Sequence, residues 1–182
     1  MQQILALILL ILISPLYILI SLIIVLENGL PIHFKQKRPG RNHVIFHFYK
    51  FRSMKKDTPD VATHLLINPD QYLLKIGKVI RKFSLDELPN LINVIKDEIN
   101  FVGPRPALYN QEDLLSLREK YHINRLKPGI TGWAQVNGRD GISITQKVEL
   151  DKYYLVHRSL SLDLKIIILT MKNIITSKDI KH

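Results

Sequence analysis

The chain has no cysteine. Disulfides, thiolate-held metals and cysteine nucleophiles are excluded, so covalent catalysis would need an oxygen or nitrogen side chain. Charge is missing from the first stretch: Ile4 to Leu26 read ILALILLILISPLYILISLIIVL, and the first charged side chain is Glu27. No basic segment precedes this run and no small-x-small site follows it, which argues against a cleaved signal peptide and for a retained membrane segment. P-loop, GxGxxG, GxSxG and DxDx[TV] signatures are absent, as are internal repeats. The 7 histidines show no metal-ligand spacing.

Basic residues, in contrast, are in excess. Lys and Arg number 26 against 16 Asp and Glu, for a net charge of +10 over 182 residues. One domain with an anionic partner is the expectation: nucleic acid, anionic lipid or a phosphorylated substrate.

As one helix, the apolar run is long enough for a bilayer core of about 30 Å. Ser14-Pro15 lies near its middle, where proline removes a backbone hydrogen bond and permits a sharp bend. From these residues alone a kinked spanning helix is the plainer reading and a re-entrant hairpin the sharper one. The basic residues between Lys35 and Lys56 place the polar part on the cytoplasmic side either way.

Residues 31–36 and 44–52, rich in β-branched and aromatic side chains, suggest two strands around the turn RPGRN. Residues 53–69 read as loop. Apolar spacing predicts a basic amphipathic helix over 70–82 and further helices over 84–96, 111–121, 143–156 and 161–176. Ser161 and Asp163 are cap candidates for the last, which suits a core or interfacial helix. The fold class expected is α+β, mostly helical.

Three stretches carry chemistry. In RKFSLDELPNL, Ser84 and Glu87 fit a capping box with Asp86 near the positive helix end. Arg81 and Lys82 beside that end also suit phosphate, and an aspartate there can attack phosphorus if the helix end keeps it ionised. In FVGPRPAL, two prolines hold Arg105 as a clamp or simply stiffen a loop. RLKPGITGWAQVNGRDG is either a ligand-approaching glycine loop or a set of turns around Trp133.

Together, Ser14-Pro15, QKRPGRN, FYKFRSM, RKFSLDELPNLINV, FVGPRPAL, KPGITGWAQVNGRD and LDKYYLVHRSLSLDLKII resemble the bacterial sugar transferases, specifically the small monotopic phosphoglycosyl transferases. The resemblance implies transfer of a sugar 1-phosphate from a UDP-sugar to undecaprenyl phosphate with release of UMP, the first membrane step of lipid-linked glycan synthesis. It implies Asp86 as nucleophile, Glu87 as its support, both at a Mg²⁺ site, and Lys50, Arg52, Arg81, Arg105 and Arg139 facing phosphate groups. It also turns Ser14-Pro15 into the break of a re-entrant membrane helix over 1–27. Residues 28–182 then form a catalytic domain on the cytoplasmic face of the bacterial inner membrane, with interfacial amphipathic helices. Membrane lipid and downstream glycosyltransferases are the partners expected, and nucleic acid is not. A non-catalytic adaptor of a glycan assembly complex is the alternative. Two stretches depart from the family pattern: MQQILAL replaces the usual basic start, and Lys96-Asp97-Glu98-Ile99 stands where relatives often have a Lys-Gly-Asp-Met type stretch.

Overall fold

The computed structural model describes residues 1–59, 68–138 and 141–176. Helices α1 (Gln2–Leu12) and α2 (Ser14–Asn28) meet at a 63° bend. Pro15 opens α2, a position where its missing N–H costs nothing. Among the described residues no single helix is long and apolar enough to cross a membrane, but the bent pair together is.

Both ends of this pair are fastened to the rest of the chain. At the start, Gln3 Nε2 donates to Asp97 Oδ1 (2.6 Å) and Phe101 N to Gln2 Oε1 (3.0 Å). At the far end, Glu27 accepts from the backbone N–H groups of Lys75 (2.5 Å) and Ile76 (3.2 Å). One side of each helix packs inward: Ala6 against Phe46, Phe48, Leu91 and Val94, and Ile20 and Ile24 against Phe51, Leu74 and Ile80. The other side leaves Ile11, Leu12, Ile18 and Leu22 exposed.

The expected hairpin is present as β1 (His33–Pro39) and β2 (Ile45–Phe51), antiparallel with Arg38 opposite Phe46 and Gln36 opposite Phe48. Strand alternation that buries Phe46 and Phe48 puts Lys50 on the same inward face. Helix α3 (Lys75–Lys82) follows, shorter than 70–82 because Pro69–Tyr72 forms a separate 3₁₀ turn. Gly77 lets α3 approach β2's exit: a Cβ there would lie 2.1 Å from Ser53 O.

The predicted helix over 84–96 is not continuous. Ser84 has φ 56 and no side-chain cap bond, Leu85–Glu87 is a 3₁₀ turn, and α4 (Asn90–Ile95) begins only after Pro89. The capping box expected at Ser84 is therefore wrong. A capping box does form at Ser143, whose Oγ accepts from Gln146 N, ahead of α7 (Ile144–His157).

A parallel pair that the periodicity did not reveal, β3 (Asn100–Val102) and β4 (Gly129–Thr131), links two of the motif stretches. Cβ atoms on Gly129 and Gly132 would lie 2.2 and 2.1 Å from backbone atoms of Gly103. These glycines serve close backbone packing. Helices α5 (Glu112–Lys120), α6 (Trp133–Asn137) and α8 (Leu160–Thr176) complete the fold. Ser159 Oγ, not Ser161, accepts from Leu162 N at the start of α8, and Asp163 instead accepts from Tyr154 Oη (2.7 Å). Ile166 of α8 is buried with Val102 and Tyr154, while Leu164, Ile168, Met171 and Ile175 are exposed.

Candidate active site

The 3₁₀ turn Leu85–Glu87 sits against β2 and the loop after β3. Asp86 is buried at 8% exposure. Glu87 Oε1 accepts from Lys50 Nζ (2.7 Å) and Arg105 Nη2 (2.6 Å), and its Oε2 from Arg105 Nη1 (3.3 Å). Asp86 Oδ2 lies 3.8 Å from the Lys50 ammonium. Hydrogen bonds therefore gather on Glu87, and Lys50 faces both carboxylates.

The two carboxyls are pushed in opposite directions. Burial raises Asp86 above its ordinary value; Lys50, Arg81 and Arg105 oppose this and the Glu87 charge adds to it. Burial also works against ionised Glu87, but Arg105 and Lys50 hold it well below the usual carboxylate range. A turn of three residues has little helix dipole to offer. The expectation that a helix end keeps Asp86 ionised is corrected: side-chain cations carry that task, and burial outweighs them.

Arg81, at the end of α3, donates from Nε to Ser53 Oγ (2.9 Å); burial lowers its pKa and Asp86 opposes the shift. Arg52 follows β2, and among the described residues its Nη1 is buried without a hydrogen-bond partner, a donor that a ligand or water would satisfy. Three of the predicted basic residues, Lys50, Arg81 and Arg105, thus face the carboxylates, whereas Arg52 follows β2 and, among the described residues, pairs with neither of them. Arg139 lies outside the described residues.

Sequence reading missed Arg38, Asn90 and Asn93. Arg38 Nη1 donates to Pro106 O (2.8 Å) while Nε and Nη2 grip Gln36 Oε1. Burial, with Arg105 nearby, brings it down to about 10 against the pull of Glu87. Asn93 on α4 donates to His47 O (2.7 Å) and accepts from Tyr49 N (3.2 Å), which locks α4 to β2. Asn90 is fully buried, and among the described residues neither of its carboxamide atoms has a hydrogen-bond partner. Each lies within a motif, so the residue types were visible but their partners across the chain were not. Trp133 is half-buried and opens α6, stacking on Tyr153 at 5.5 Å with Lys165 Nζ above it, so it stands in a helix, which corrects the reading of an aromatic among turns.

A family model for bacterial sugar transferases matches residues 1–177. The uncharacterised sugar transferase EpsL of Bacillus subtilis (strain 168) is 46% identical over 158 residues, 86% of this chain and 76% of that protein. The UDP-glucose:undecaprenyl-phosphate glucose-1-phosphate transferase of Escherichia coli (strain K12) is 39% identical over 92% of this chain and 38% of its own length. A UDP-N-acetylgalactosamine-undecaprenyl-phosphate N-acetylgalactosaminephosphotransferase of Aeromonas hydrophila is 36% identical over 90% of this chain and 40% of its own length. The chain thus spans about two fifths of these two phosphotransferases and most of EpsL. With the family model covering the bent helix pair, the carboxylate turn and the Arg105 loop alike, the chain belongs to the bacterial sugar transferase family.

Proposed function

We propose that the chain transfers a sugar 1-phosphate from a UDP-sugar to undecaprenyl phosphate at the face of the bacterial inner membrane, starting polysaccharide assembly. The observation that carries this reading is the Asp86–Glu87 pair, Asp86 buried and Glu87 half-buried, facing Lys50, Arg81 and Arg105. Three cations against two carboxylates leave positive charge for phosphate groups. Glu87 absorbs the hydrogen bonds of Lys50 and Arg105, which leaves Asp86 oxygen lone pairs for an electrophile.

An Asp86 carboxylate oxygen attacks the sugar-linked phosphorus, the bond to the bridging oxygen breaks, and UMP departs. The acceptor's phosphate oxygen then attacks the same phosphorus, and Asp86 leaves as carboxylate. One phosphoanhydride replaces another. Arg105, Lys50 and Arg81 offset the charge on the transferring group.

Magnesium fits this donor set. The cation takes one or two carboxylates plus substrate phosphates, so Asp86 and Glu87 would hold it, with Glu87 shared with Arg105 and Lys50. Its contribution when bound is to neutralise the phosphates of the donor.

The bent α1–α2 pair, with both ends bonded to one polar body, suits a re-entrant membrane insertion. The exposed apolar side of α8 suits the membrane interface.

The test is UMP release from a panel of UDP-sugars with undecaprenyl phosphate in detergent or vesicles. Release with at least one donor is expected. With the donor alone, intact mass should rise by one sugar phosphate and return on adding acceptor. No UMP from any donor overturns the reading.

A further inference from the structure

We propose that Arg118 and Asp151 are positioning residues for the reaction proposed above, holding the backbone of the Arg105 loop so that its guanidinium meets Glu87 beside Asp86. Arg118 on α5 is 6% exposed and Asp151 on α7 is 1% exposed. Arg118 gives Nε (3.0 Å) and Nη2 (2.6 Å) to Asp151 Oδ2, and its remaining arm, Nη1, to Arg105 O (2.8 Å). The carboxylate orients the guanidinium, and the guanidinium holds the loop carbonyl.

The neighbouring carbonyls are held too. Pro104 O accepts from Gly129 N (3.0 Å) on β4, and Pro106 O from Arg38 Nη1 (2.8 Å) on β1. Three successive carbonyls are tied to three different elements, and prolines fix φ on both sides of Arg105. Little backbone freedom is left, so the side chain leaves the loop in one direction, toward Glu87 at 2.6 Å.

Stability alone is a poor reason for such a pair. Buried ion pairs are often replaced by apolar residues without loss. A well-packed apolar pair could not, however, donate to Arg105 O. Lysine could not either while keeping the fork on Asp151, because a single ammonium lacks the planar geometry.

A double-mutant cycle separates the two roles. Single-turnover UMP release is measured for wild type, R118K, R105A and the double variant, with a UDP-sugar the wild type uses. Failure of the wild type to release UMP would count against the function reading, whereas the cycle addresses Arg118. We expect R118K to lose about a hundredfold in the wild-type background and little in the R105A background, with thermal unfolding nearly unchanged. Equal losses in both backgrounds, or R118K close to wild type, would overturn the proposal. If R118K does not fold, D151N takes its place in the cycle with the same expectation. Failure of both variants to fold would also overturn it, since the pair would then be a stability element.

Discussion

Asp86, buried, and Glu87, half-buried, are adjacent in sequence, but the Lys50 ammonium is 2.7 Å from a Glu87 oxygen and 3.8 Å from one of Asp86. That ammonium and Arg105 draw Glu87 down, while burial leaves Asp86 raised. Two carboxyls whose environments push them apart are suited to two roles. In the proposed reaction Glu87 is the strongly acidic anion that organises the cations, and Asp86 is the less stabilised oxygen that attacks phosphorus.

Asp86→Asn should therefore abolish UMP release by at least about a thousandfold, the scale of losing a covalent nucleophile. Stability should hold or rise, since a buried carboxyl with a raised pKa opposes folding at neutral pH. Thermal unfolding and membrane flotation check the second half. Normal turnover in D86N would remove Asp86 from the chemistry.

The pH dependence has two opposite signs. The proposed attack needs ionised Asp86, so the rate should climb with pH through its raised pKa. In Glu87→Gln, removal of a neighbouring negative charge should move that acid limb to lower pH while lowering the plateau. For stability, Glu87 is held down in the fold, so its contribution is complete above its ordinary value of 4.5 and is lost as pH falls below it. Melting temperatures from about pH 6 to about pH 3 should therefore fall less steeply for E87Q than for wild type. An acid limb that moves upward in E87Q would contradict the assignment.

The residue types of the site were legible because they lie in short motifs, and the hairpin because Phe46 and Phe48 alternate. Neither signal reports tertiary partners. Ser84 and Glu87 had capping-box spacing, yet Glu87 is drawn instead to Lys50 and Arg105, and a charge-assisted pair outweighs one backbone cap. Strands of three residues such as Asn100–Val102 are too short for periodicity, and Arg118 and Asp151 meet across 33 positions of sequence. The glycines of the KPGITG stretch looked ready for a ligand and are used against Gly103.

Gly77→Ala should test whether α3 must lie on the exit of β2. The added methyl would stand 2.1 Å from Ser53 O, a backbone atom that cannot rotate away. Relief requires moving α3, and with it the Arg81–Ser53 bond (2.9 Å). Overpacking of this kind costs about 1–3 kcal/mol. Chemical denaturation should show that loss together with slower UMP release, and unchanged stability would mean that α3 shifts freely.

The start of α1 and the Lys96–Ile99 turn meet in space. Gln3 donates to Asp97, and Asp97 also pairs with Lys127 and stands at φ 63, in the region that favours glycine. Asp97→Gly relieves that backbone conformation and removes the clasp at once. The start of α1 should then open more often even if global stability changes little. A cysteine at position 4 would report this through its labelling rate. In wild-type background Ile4→Cys should react slowly and from the cytoplasmic side, and D97G should speed it without changing sides. Reaction from the periplasmic side would restore a spanning helix, and an unchanged rate in D97G would mean that Phe101 N on Gln2 (3.0 Å) and the packing of Ala6 suffice to hold the helix.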